Sequence, residues 1–225
     1  MRYTEKLILN WEEYSFAAPG GWWTPWANTF MYLPMTSDFD DATWNNTMSN
    51  SGATIVDLSW VKCWYFNWHR LTCSESPVWD TNYTISVWVN ITNSNWNNWI
   101  IWSNHSADYS WDQLIVNYNS SEFEYRWYRH YDEWKVKTST MPTANTWQHI
   151  CYSNWKIYLN WNDVTDTVWS WTMLAWYSYT IWQQNNWSNS YIWYMSELIV
   201  ESVEWTEQEI SDYFDQTKSL YGINN

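Results

Sequence analysis

The stretch from Thr146 to Thr165, TWQHICYSNWKIYLNWNDVT, limits the folds open to this chain more than any other. Trp147, His149, Cys151 and Ser153 alternate with Gln148, Ile150, Tyr152 and Asn154, the period of two that belongs to β-strands. A second run, Lys156 to Asn160, puts Ile157 and Leu159 on one face, and the chain then continues through Asp163 to Val168. Each junction is a dipeptide that begins with Asn: Asn154-Trp155, then Asn160-Trp161. Asn-Gly between alternating runs is the strongest short-range hairpin signal. Here Trp takes the glycine place twice, although its Cβ clashes in the left-handed region that such turns use.

The same substitution pattern runs along the whole chain. Asn precedes Trp11, Trp68, Trp96, Trp99, Trp155, Trp161 and Trp187. The sequence holds 26 Trp and only 4 Gly in 225 residues, where an average chain has roughly 7% Gly. Glycine at most of these Trp positions would make both counts ordinary for an all-β protein. Two readings follow. In one, most of these codons are UGA, decoded as glycine in the source cell and written here as Trp. In the other, the protein is genuinely rich in Trp. Strand or helix-edge context accounts for Trp88, Trp147 and Trp205 as tryptophan, whereas Trp22, Trp23, Trp26 and Trp134 sort with neither group.

A chain of 225 residues suits one large all-β domain with a small appendage, and it can bury a core without covalent staples. Ten Lys and Arg stand against 24 Asp and Glu, a net charge of −14. With no basic cluster, nucleic acid and anionic membrane are poor partners. No run of 18 apolar residues is present, so no helical membrane span is expected. The opening MRYTEKLILN lacks the basic-then-apolar pattern of a signal peptide. Either the protein is not exported by that route or the chain is a fragment.

Cys63, Cys73 and Cys151 are the only cysteines. The first two flank a hairpin expected at Asn67-Trp68. A two-residue loop there would set Cys63 opposite Thr72; a three-residue loop with a bulge would set the two cysteines opposite each other, within reach of a disulfide. The plainer alternative is three small buried apolar side chains.

Residues 1–28 read as a separate hairpin and linker: two apolar runs about Asn10-Trp11-Glu12-Glu13, then a turn-rich segment with Pro19, Gly20, Gly21 and Pro25. The main domain, 29–225, opens with a strand at Phe30 to Pro34 and an acidic loop in which Asp38, Asp40 and Asp41 are read as a solvated turn. Short strands follow. In Tyr83 to Val89, Tyr83, Ile85, Val87 and Val89 share one face and Trp88 lies on the other, the mark of a central strand with two apolar faces. Glu122, Glu124 and Arg126 share a face of a later strand; a solvated face fits them better than the paired carboxylates of a glycosidase. The chain closes with a helix that begins with a capping box, Thr206 as N-cap and Glu209 at N3. Its apolar stripe is Ile210, Tyr213 and Phe214. The pattern as a whole predicts an all-β, two-sheet antiparallel jelly-roll sandwich with one short C-terminal helix acting as a lid.

Five pieces, in order, resemble the laminin G-like and concanavalin A-like jelly rolls. They are Tyr32-Leu33-Pro34-Met35 with its acidic loop; Tyr65-Phe66-Asn67-Trp68, like F-D/N-G; Tyr83 to Val89, like F-T-I-S-x-W-V; Thr146 to Ile150 with Lys156 to Trp161, like W-x-H-V and x-L-Y-V-N-G; and Ile192 to Leu198, like F-x-G-x-I-D-E-V. Family glycines land on Trp throughout, and Ser196 stands where the family has Asp. The match runs from about Phe30 to Tyr221. The resemblance implies ligand loops at one rim and binding of carbohydrate or a surface protein outside cells, often with Ca²⁺. The N-terminal hairpin is also reminiscent of phage tail or fibre proteins, which implies a virion-associated setting as the other possibility.

The candidate rim is Ser103 to Asp112. Asn104, Asp108 and Asp112, four residues apart, offer oxygens to a hard cation, with Asp108 and Asp112 as the Ca²⁺ ligands, and Tyr109 could stack on a sugar. The neighbouring loop adds Tyr128 and Arg129. Against this stands a role for the same residues in turn formation only. Six Asn-x-Ser/Thr sequons begin at Asn45, Asn82, Asn90, Asn104, Asn119 and Asn186, several of them expected by chance in so Asn-rich a chain. Three functions are weighed: a non-catalytic binding or adhesion module, a glycoside hydrolase on the same fold, and a structural phage tail or surface protein. No E-x-D-x-x-E run supports the hydrolase.

Overall fold

The computed structural model describes residues 28–34, 41–43, 46–66, 71–73, 83–92, 97–103, 111–117, 122–129, 132–140, 142–168, 179–181 and 193–224, with several strands of the second sheet described by backbone alone. The expected N-terminal hairpin and linker, 1–28, lie outside them except for Asn28.

The strands are β1 (Thr29–Leu33), β2 (Met48–Asn50), β3 (Thr54–Leu58), β4 (Val61–Phe66), β5 (Leu71–Cys73), β6 (Thr84–Ile91), β7 (Asn97–Ser103), β8 (Trp111–Asn117), β9 (Glu122–Arg129), β10 (Asp132–Thr138), β11 (Trp147–Ser153), β12 (Lys156–Leu159), β13 (Asn162–Asp163), β14 (Thr167–Val168), β15 (Tyr179–Ile181) and β16 (Trp193–Glu201). One sheet has the order β13-β12-β11-β6-β16-β4-β3, with β1 also on β16; the other has the order β14-β10-β9-β8-β7-β15-β5-β2. Every pairing is antiparallel. The result is the expected jelly-roll sandwich.

Alternation decides which side chains fill which layer. Ile85, Val87, Val89 and Ile91 of β6, Ile150 and Tyr152 of β11, and Ile157 and Leu159 of β12 meet Leu71, Cys73 and Val136 of the other sheet in the core between the sheets. The opposite face of the first sheet is covered by α1 (Glu207–Thr217) and the 3₁₀ turn that follows it, Lys218–Tyr221. There Trp88, Trp147, Cys151 and Tyr158 pack on Ile210, Tyr213, Phe214 and Tyr221. β6 therefore has every residue buried, as its two apolar faces require. The capping box is formed in full: the Glu209 amide donates to Thr206 Oγ1, and the Thr206 amide donates to Glu209.

The hairpins of the opening stretch form as their Asn dipeptides predict. Ser153 pairs with Lys156 and Leu159 with Asn162, so each loop has two residues. Both residues of each loop have positive φ: Asn154 47°, Trp155 58°, Asn160 48° and Trp161 66°. That is the double left-handed signature of a type I′ turn.

Two expectations are corrected. β4 and β5 do not form a hairpin. Cys63 pairs with Val56 and Cys73 with Met48, so β4 and β5 belong to different sheets. All three cysteines are buried free thiols, and burial pushes the Cys63 thiol up to about 12. Asp41 is not solvated either: it is 2% exposed. One carboxylate oxygen accepts from the amides of Tyr32 and Thr43 at 2.9 and 3.0 Å, and the other from Thr43 Oγ1 and Asn46 Nδ2, both at 2.7 Å. The carboxylate thus ties the end of β1 to the segment at Thr43 and Asn46. Asp41→Ala would remove this acceptor from all four donors, of which Thr43 Oγ1 and Asn46 Nδ2 also reach Phe30 O. It is expected to cost about 2 kcal/mol, read as a lower urea midpoint, with Asp41→Asn losing less.

Candidate functional site

Of the residues expected at the binding rim, Asn104, Asp108 and Tyr109 lie outside the described residues. Asp112 begins β8, and Tyr128 and Arg129 end β9. In the ladder Tyr128 pairs with Trp111, Asp112 with Trp127, and Arg129 with Asp132. Ser103, which ends β7, also belongs to this end of the sheet, since β7 and β8 are antiparallel neighbours. The connection from Ser103 to Trp111 and the one from Arg129 to Asp132 therefore leave the second sheet at the same end. Backbone register brings Asp112, Tyr128 and Arg129 to one corner.

The carboxylate pair of β9 gains no support as a hydrolytic centre. Glu122 pairs with Asn117, and Glu124 lies between Ile115 and Lys137, so neither faces another carboxylate across the ladder. Among the described residues no three His, Cys, Asp or Glu side chains gather as a metal site.

A second polar cluster, which the sequence reading did not single out, lies under α1. Met195 and Leu198 of β16 both face the core between the sheets although they stand three positions apart. Strict alternation cannot do this. The strand inserts a bulge between Ser196 and Ile199, and Glu197 takes φ 48°. A left-handed non-Gly residue costs roughly 1–2 kcal/mol. At the same place β16 exchanges β4, its neighbour over Trp193 to Met195, for β1, its neighbour from Leu198 on. Glu197 thereby aims at the helix. Its Oε2 accepts from the hydroxyls of Tyr213 and Tyr221, both at 3.1 Å, and Tyr221 also donates to Ser196 Oγ at 3.1 Å. Burial raises the Glu197 carboxyl above its usual range, and the two phenols hold it back in part. Burial, with that carboxylate nearby, raises Tyr213, Tyr221 and Tyr32 well above the ordinary phenol value.

His149 completes the cluster. It is fully buried, its Nε2 is 2.8 Å from Ser86 Oγ, and its Nδ1 has no hydrogen-bond partner. Trp88, Tyr213 and Phe214 surround the ring at centroid distances of 5.3, 5.2 and 6.2 Å. Burial lowers its pKa to about 3, so it is neutral at pH 7. This cluster fastens the lid to the sheet. The sequence signal for it is the slip in alternation at Met195-Ser196-Glu197-Leu198.

No protein-family model matches the chain, and no curated protein matches it. Solved structures do. The chain is similar to botulinum neurotoxin type C, in a structure described for cell entry through two ganglioside molecules (TM-score 0.68, 15% identity, covering 84% of this chain and 51% of that one). It is similar to the binding domain of Paraclostridial Mosquitocidal Protein 1 (TM-score 0.65, 13% identity, 83% and 52%). It is also similar to the binding domain of botulinum neurotoxin DC, solved with rat synaptotagmin II (TM-score 0.64, 11% identity, 84% and 51%). At these identities the likeness is one of fold. The chain spans about half the length of each neighbour.

Proposed function

We propose that the protein is a non-catalytic binding or adhesion module for a carbohydrate or a surface protein, acting outside the cell. The carrying observation is the corner of the second sheet where the connections before Trp111 and after Arg129 emerge side by side. Asn104, Tyr109, Tyr128 and Arg129 supply the ligand contacts, a combination of aromatic surface and planar donors that suits sugar hydroxyl and carboxylate groups. Ca²⁺ held by Asp108 and Asp112 is a separable part of the reading, because it rests on their spacing alone. The neighbours named for gangliosides and synaptotagmin support a module of this kind, as does the laminin G-like order of motifs. No helix among the described residues is long and apolar enough to cross a membrane.

Glycan-array binding by the purified protein, repeated with a chelator, tests the proposal. Binding is expected, and its loss on chelation would support the cation site. Cleavage of any β-glucan would replace the reading with that of a hydrolase. Absence of both binding and cleavage, with a large assembly on size-exclusion, would favour a structural virion or surface part.

A further inference from the structure

Tryptophans whose side chains are described divide sharply by position. Trp64, Trp88, Trp147 and Trp205 are buried, and they lie in strands or at the helix edge. Trp155 and Trp161 hold the second place of the two type I′ loops, at φ 58° and 66°. Trp60 holds the second place of another two-residue loop, between the paired Leu58 and Val61, after Ser59 at φ 64°. Trp60 and Trp161 are the exposed ones, at 68% and 48%. A β-substituted residue in the left-handed region is strained, and glycine is the residue that such loops select. At Trp161 exposure adds to this, since a large apolar ring is placed in water where the left-handed backbone asks for no side chain. A third sign comes from β7, where Trp99 borders a register shift, a place that glycine often occupies.

We propose that the translation system that makes this protein inserts glycine at positions 155 and 161, by reading UGA as glycine, while Trp88, Trp147 and Trp205 remain tryptophan. This goes beyond the binding role and does not depend on it. It has a consequence for that role: the exposed indole at Trp161 is not a sugar-stacking platform, and ligand contact falls to the tyrosines and Arg129 of the rim. Trp60 is left to its codon, because Ser59 and not Trp60 carries the positive φ of that loop, and the Trp60 Nε1 donates to Leu220 O at 2.9 Å. Trp64 is left to its codon as well, because its strand backbone suits either residue.

One tryptic peptide tests the split. Cleavage after Lys137 and Lys156 releases residues 138–156, TSTMPTANTWQHICYSNWK, which contains both position 147 and position 155. Mass spectrometry of protein from its own cells is expected to find Trp at 147 and Gly at 155, matching UGG and UGA in the gene. Trp at both positions, or UGG at both, would overturn the proposal. The physical premise has its own test in the recombinant chain written with Trp: Trp161→Gly should raise the melting temperature. A fall would contradict the claim that this turn prefers glycine.

Discussion

Acidification from pH 7 to pH 4 is expected to cost the fold about 3 kcal/mol through His149 alone. The sign follows from the direction of its shift. Burial lowers the folded-state value to about 3, whereas the unfolded chain titrates near 6.5. Between those values the unfolded state binds the proton and the folded state does not. Stability is therefore complete above pH 6.5 and is lost as pH falls toward 3. Protonation inside the fold is costly because the ring is fully buried among Trp88, Tyr213 and Phe214, with Ser86 Oγ as its one hydrogen-bond partner. Glu197 acts with the opposite sign: its raised value makes acid stabilising as pH falls through the folded pKa, so it offsets part of the loss. Urea midpoints at pH 7 and pH 4 measure the sum. His149→Gln, which can still reach Ser86, should flatten the difference. An unchanged pH slope in that variant would assign the acid sensitivity to other groups.

Trp88→Ala is expected to cost roughly 3–5 kcal/mol, the largest effect of any single truncation discussed. Trp88 is fully buried on the helix side of β6. Its ring stacks on Tyr221 at 4.0 Å and on Phe214 at 5.7 Å, and its Nε1 donates to Thr217 Oγ1 at 3.2 Å. Removing it opens a cavity between sheet and lid and leaves Thr217 without its donor. Trp88→Phe should recover much of the packing but not the hydrogen bond. Thermal melts followed by near-ultraviolet circular dichroism would show whether the lid loosens before the sandwich unfolds.

Much of this architecture is visible in the sequence because it is local. The two-residue hairpins after Ser153 and Leu159, the double-faced strand of Val87 and Trp88, and the capping box at Thr206 are each written in a few neighbouring residues. The errors have the opposite character. Asn67-Trp68 signals a turn, yet a turn within one sheet and a crossing between sheets use the same residues; only the distant partners Val56 and Met48 decide between them. Asp41 resembles a surface acid until the amides of Tyr32 and Thr43, distant in the turn, are seen to converge on it. Glu197 lies in a pattern that looks continuous until Met195 and Leu198 are both required inside.

The proposed binding rim was legible only in part. Its residue types suggested a ligand, but Asp112 is separated from Tyr128 and Arg129 by more than a dozen residues of chain, and the pairing of β8 with β9 is what makes them neighbours. That juxtaposition is the centre of the functional account. The most direct measurement is the affinity of Arg129→Ala and Tyr109→Ala proteins for the glycan that the array selects, with urea midpoints recorded alongside. The account predicts at least a tenfold loss in each variant, about 1.4 kcal/mol, at unchanged stability. Full affinity retained in both would contradict it and place the ligand elsewhere on the sandwich.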